Sequence, residues 1–150
     1  MFRLRRRTAT DCEAVVSWIP DPDALYLFTG PRLRWPLDAA QLSELEDAGC
    51  NGWTLVENES NDPVGHFDLA IDGEVARIGR VCVDPARRGQ GLAHLLVGFA
   101  VDRARSLGAS ELRLNVIVGN DAAIRTYERA GFTTSPQSDR PDVRAMSRAL

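Results

Sequence analysis

The chain has 150 residues, 44% of them hydrophobic and 26% charged, with a formal net charge of −3. That is the make-up of one globular domain over residues 1–150, and it excludes a disordered or collagenous chain. Folding at this length buries roughly 70% of the unfolded surface, and the scattered Cys12, Cys50 and Cys82 form no CxxC or Cys/His cluster, so neither a disulfide framework nor a metal site is expected.

In chain order, Phe2–Arg7 alternates apolar residues with Arg, the period of a half-buried strand. A helix follows from Thr10 to about Ile19, capped by Thr8 or Thr10 and stopped by Pro20 and Pro22. Asp21–Pro36 reads as a long irregular loop. Asp38–Ala48 is a second helix, ended by Gly49. Trp53–Glu57 and Val64–Ile71 read as antiparallel strands, and Asp72-Gly73 is a hairpin turn into Glu74–Val83. Gly89–Leu107 places Leu92, Leu95, Leu96, Phe99, Ala100, Ala104 and Leu107 at helical spacing. Glu111–Val118 is a strand, Asn120–Ala130 a short helix closed by Gly131, and Val143–Leu150 a final strand. This order of strands and helices predicts an α/β fold: a mixed sheet flanked by helices.

No apolar stretch is long enough to span a bilayer, and none follows the Arg-rich N-terminus to make a secretory signal. A cytoplasmic protein without a membrane partner is the expectation. All 18 basic residues are Arg, as a GC-rich coding sequence would give. Ten acids and no Arg or Lys lie between Pro36 and Glu74, whereas Arg77–Arg113 holds seven Arg against three acids. Such a separation suits two ligands of opposite charge, or is solvated surface. A negative chain without a basic-aromatic stripe argues against nucleic acid as a partner.

The informative stretch is Ile78–Ala93. A strand ends at Val83, Asp84-Pro85 turns the chain, and Gly89 and Gly91 stand where the next helix begins. The first turn of a helix has unpaired N–H groups and a partial positive charge, which favour phosphate. Glycines let an anion approach the backbone, and Arg87 and Arg88 add cationic donors. A diphosphate-bearing ligand is the natural occupant. A P-loop is excluded because the chain has no lysine, and a dinucleotide fingerprint because His94 stands where its last glycine is needed.

Arg88-Gly89-Gln90-Gly91-Leu92-Ala93 resembles the Arg/Gln-x-x-Gly-x-Gly/Ala motif of the GNAT family of N-acetyltransferases. Asn120–Phe132 resembles that family's Asn-x-x-Ala-x-x-x-Tyr-x-x-x-Gly-Phe, about 30 residues downstream. The resemblance covers Trp53 to Phe132 and is weaker in the first 50 residues. It implies a mostly antiparallel sheet, splayed between the fourth and fifth strands, and acetyl-CoA as co-substrate without a metal.

By that resemblance, Val81, Cys82 and Val83 would present backbone groups to the pantetheine arm, as an exposed strand edge does. The Val81 amide would polarise the thioester carbonyl and bind the oxyanion. Amides of Arg88, Gly89, Gln90, Gly91, Leu92 and Ala93 would cradle the pyrophosphate. Asn120 would bond the pantetheine or cap its own helix. Tyr127 would protonate the departing thiolate, a step about 2 kcal/mol uphill from unperturbed pKa values, or is a core aromatic. Deprotonating an ordinary alkyl amine at pH 7 costs about 4.6 kcal/mol, so Glu74, Asp68, Asp72 and His66 are candidate bases. The inward positions before the phosphate turn hold Arg77 or Gly79, a departure that leaves no obvious carboxylate base. Trp18, Trp35 and Trp53 read as core or loop anchors, and Cys82 as a small buried residue. The activity implied is acetyl transfer to a primary amine in a ternary complex. The charge map points to a cationic acceptor, and a homodimer is compatible. The rival reading is a non-catalytic module that binds CoA.

Overall fold

The computed structural model describes residues 1–136 and 140–150. A seven-stranded sheet runs β1-β2-β3-β4-β5-β7-β6. Its strands are β1 (Phe2–Arg6), β2 (Asn51–Glu57), β3 (Pro63–Asp72), β4 (Val75–Val83), β5 (Glu111–Ile117), β6 (Thr133–Thr134) and β7 (Val143–Ala149). All neighbours pair antiparallel except β4 and β5. That parallel ladder spans Val75–Arg77 against Glu111–Arg113 and goes no further. From Ile78 onward the two strands part, as expected.

Helices cover both faces. On one lie α1 (Ala9–Ser17), α2 (Pro22–Thr29) and α3 (Ala39–Asp47), packed around Val15, Phe28, Leu42 and Leu45. On the other lie α4 (Leu92–Ser106) and α5 (Asp121–Arg129), packed on Phe67, Leu69, Ile78 and Leu112. β3 is buried from Val64 to Leu69 because both layers cover it.

Two boundaries differ from expectation. Asp21–Pro36 is not an irregular loop: it holds α2 and a 3-10 turn at Gly30–Arg32. Asp21 Oδ1 accepts from Ala24 N–H at 2.8 Å and Pro22 sits in the first helical turn, where its missing N–H is harmless. The prolines thus start a helix as well as stopping one. The long helix begins at Leu92, not Gly89, because Gly89 and Gly91 take φ of 81° and 75°. The first helix is capped by Thr8, whose hydroxyl accepts from Asp11 N–H at 3.2 Å while Asp11 Oδ2 accepts from Thr8 N–H at 2.8 Å.

β4 carries a bulge. His66 pairs with Cys82 and Asp68 with Gly79, so Arg80 and Val81 together stand against Phe67. Arg80 takes φ 51°, a left-handed conformation uncommon outside glycine. The extra residue inverts the strand's alternation. Before it, Ala76 and Ile78 join the α4 core; after it Val81 and Val83 do, and Cys82 turns to the other layer.

Candidate active site

β4, the turn after it and the start of α4 make one continuous surface. Beyond Arg77 the strand has no β5 partner, and at the bulge Val81 is out of register with β3 as well. Val81, Cys82 and Val83 thus lie on the strand that borders the gap between β4 and β5, Cys82 and Val83 still paired with β3 on the other side. The chain turns at Pro85–Arg87, with Asp84 Oδ1 accepting from Ala86 N–H at 2.9 Å.

Arg88, Gly89 and Gln90 form the exposed turn before α4. Gly91 is its N-cap residue and offers no side chain, so the amides of Leu92, Ala93 and His94 point from the helix end without an intrahelical acceptor. A Cβ at Gly89 or Gly91 would meet nothing within 4 Å, so this surface is open to an anion. Arg87 is held by Glu57 and bonds Gln90 Oε1 at 3.3 Å, so Gln90 braces the turn through its side chain. Arg88 is exposed.

Asn120 and Tyr127 belong to α5. Asn120 occupies the N-cap position, yet its side chain makes no capping hydrogen bond, which removes that alternative for it. The Tyr127 ring packs edge-to-face on Phe132 with centroids 5.9 Å apart and belongs to the core that Val81 and Val83 touch. Burial pushes its phenol above the ordinary value. The core-aromatic reading of Tyr127 is thus what the packing shows.

The candidate bases fare differently. His66 is fully buried, and burial drives its imidazole down to about 4, against the pull of Asp68. Arg7 Nη1 donates to its Nε2 at 3.0 Å, so the ring proton sits on Nδ1, which has no acceptor among the described residues. Asp68 is clamped by Arg7 Nη1 at 2.9 Å and by Arg80 Nε. Glu74 and Asp72 are exposed at the hairpin end, where β4 and β5 are still paired. His66 and Asp68 are thus committed to the buried Arg7 network, and Asp72 and Glu74 stand at the paired end of the strands. Burial also pushes the Cys82 thiol up to about 12. Of the tryptophans, Trp18 is core, Trp35 is exposed, and Trp53 lies between Arg6 and Arg103, 5.2 and 4.5 Å from its ring centre.

On the α1–α3 face, the parting strands open a cleft of about 670 Å³. Ala70, Arg77, Arg113 and Ser147 are adjacent in register along its floor. The end of α2 and the turn after it form a wall. α2 is tied to one side by Arg80 Nη1 on Thr29 Oγ1 at 3.5 Å, and to the other by the Tyr26 hydroxyl on the Asp142 carboxylate. Sequence reasoning missed Arg32, Arg80, Arg113 and Arg140 as lining residues. A usable signal existed for Arg113 alone: with Arg77 it alternates with strand residues that face the core.

The chain is similar to known proteins in sequence and in fold. A peptidyl-lysine N-acetyltransferase of Escherichia coli is 30% identical over 87% of this chain and 81% of its own length. A mycothiol acetyltransferase of Mycolicibacterium paratuberculosis is 31% identical over 75% of this chain and 49% of its own. The chain spans about half or less of the mycothiol acetyltransferases it matches. The crystal structure of spermidine N-acetyltransferase from Vibrio cholerae, in complex with CoA and spermine, superposes with a TM-score of 0.79 at 19% identity, covering 99% of this chain and 95% of that one. The family model of the Acetyltransferase (GNAT) family matches residues 15–132, and this chain belongs to that family.

Proposed function

We propose that the chain is an acetyl-CoA-dependent N-acetyltransferase that passes the acetyl group to a primary amine by direct attack in a ternary complex. The observation that carries this reading is the continuity of the unpaired β4 edge with the uncapped start of α4. An extended arm can pair with the edge while its diphosphate meets the helix end. Such a two-part ligand is what acetyl-CoA is.

Within this reading, acetyl-CoA supplies the activated acyl group and the chain's residues do the rest. Val81, Cys82 and Val83 hold the pantetheine arm through their backbone. The amides from Arg88 to Ala93 hold the pyrophosphate, with Arg88 adding charge. The Val81 N–H polarises the thioester carbonyl from a fixed position, so no reorganisation is needed as charge develops there. Asn120, with its amide uncommitted to capping, bonds the pantetheine.

Tyr127 holds the proton that the leaving thiolate needs. Burial raises the phenol, which by itself makes the transfer harder. Desolvation against the same apolar surface raises the basicity of the leaving thiolate as well. His66 and Asp68 are committed to the Arg7 network and Asp72 and Glu74 stand at the hairpin end, so in this reading the amine's proton leaves to water and the rate follows the acceptor's own ionisation. Three free cysteines accord with a reducing compartment, the cytoplasm.

The test is thiol release from acetyl-CoA against a panel of primary amines, beside calorimetric titration of the same protein with acetyl-CoA. Release that depends on the amine is expected. Tight binding with no release for any amine would favour the CoA-binding module instead.

A further inference from the structure

Charges counted along the chain point to a cationic acceptor, but the described residues that line the cleft carry the opposite balance. Of the ten acids between Pro36 and Glu74, Asp68 alone lines it. Five arginines do: Arg32, Arg77, Arg80, Arg113 and Arg140. The other acids sit elsewhere, Asp38 as the cap of α3 and Glu57 on Arg87 outside the cleft. Sequence position says nothing about which face of a sheet a charge reaches.

The pairing inside the cleft sharpens this excess. Asp68 is already held by two guanidinium groups, Arg7 from beneath and Arg80 from the wall. Glu111 is engaged by Arg113, with bonds of 2.9 and 3.1 Å. Arg140 bonds Asp142. Arg32 and Arg77 make no ion pair or side-chain hydrogen bond with any described residue. Arg77 and Arg113 are register partners on adjacent strands and line the same floor. Like charges so placed repel, and Glu111 offsets only the Arg113 side of the pair, which leaves Arg77 for an outside anion. A guanidinium presents paired N–H donors that fit an oxyanion in two-point fashion.

These charges are not explained by the cofactor's diphosphate. No residue from Arg87 to Ala93 lines the cleft, and the phosphate turn lies past the far end of β4 from Arg77. Resting on the acetyltransferase reading, we propose that the amine acceptor also carries an oxyanion, a carboxylate or a phosphate, held in this cleft by Arg77 and Arg113 with Arg32 at the rim. Its amine end then points along the gap toward the β4 edge. Arg77 and Arg113 are specificity-determining residues and take no part in the bond changes.

The experiment compares three acceptors matched in size: an α-amino carboxylate, its neutral amide and an aminoalkyl phosphate. Each is measured at saturating acetyl-CoA with the wild type and with Arg77→Gln and the double variant Arg77→Gln/Arg113→Gln. The wild type is expected to favour at least one anionic acceptor over the amide by tenfold or more in kcat/KM, carried by KM. The double variant is expected to lose most of that ratio, and 500 mM salt to shrink it in the wild type. Which anion wins distinguishes carboxylate from phosphate. Preference for the amide, or an anionic preference that survives in the double variant, overturns the proposal. The acetyl-CoA dissociation constant reports whether each variant is folded. Should no acceptor turn over, the acetyltransferase reading fails, and calorimetric titration of the CoA-loaded protein with the same three amines still decides the anion preference.

Discussion

Tyr127 combines a ring that packs and a hydroxyl that can donate, and the two roles separate cleanly by substitution. Tyr127→Phe keeps the edge-to-face contact with Phe132 and removes the proton. Turnover is expected to fall about 10²-fold with acetyl-CoA affinity retained. Unchanged turnover at saturating acetyl-CoA would show that water supplies the proton. Gly52 is a second case where one atom decides. A Cβ there would stand 2.7 Å from Arg7 Nη1 and closer still to its Cζ. Arg7 cannot swing away, because Leu42 O, His66 and Asp68 hold its guanidinium at 2.9, 3.0 and 2.9 Å in a buried site. Gly52→Ala is expected to destabilise the fold by about 2–4 kcal/mol, as disruption of a buried charged network does. Denaturant unfolding measures it, and a loss under about 0.5 kcal/mol would mean that the network yields readily.

The turn into α4 does its work through backbone conformation. Gly91→Val would force a β-branched residue to φ 75°, which costs on the order of 1–3 kcal/mol, and would set its side chain on the open surface that meets the pyrophosphate. Acetyl-CoA affinity is expected to fall at least tenfold while the variant remains folded. Unchanged calorimetric binding in a folded variant would move the phosphate site elsewhere. This turn was legible in the sequence because strand end, Pro, paired Arg and glycines are local signals. α2 was not, since Pro22 and Asp21 mark a helix start as well as a helix stop. The β4 bulge had one local sign, the isolated Gly79 inside the strand, but its position could not be fixed because the register shift depends on β3. The arginine cleft is assembled from α2, β4, β5 and the segment before β7, so no local pattern could bring it together.

The sheet divides the molecule into a closed layer under α4 and α5 and an open one, where the helices α1–α3 leave the cleft and a buried polar network beneath it. Burying His66 uncharged has a consequence for stability. The unfolded chain binds a proton at this residue below pH 6.5, whereas the folded chain resists until about 4. Its contribution is therefore complete above pH 6.5 and is lost as the pH falls toward 4, by up to about 3 kcal/mol. His66→Gln keeps an acceptor for Arg7 and cannot titrate, so its unfolding free energy is expected to change less over this interval. Equal slopes in both proteins would place the acid sensitivity elsewhere. The measurement that bears most directly on acetyl transfer follows thiol release and amide formation together in one time course with acetyl-CoA and an amine. Equal amounts of thiol and amide, both dependent on the amine, are expected; thiol without amide, or neither despite bound acetyl-CoA, would contradict acetyl transfer by this chain.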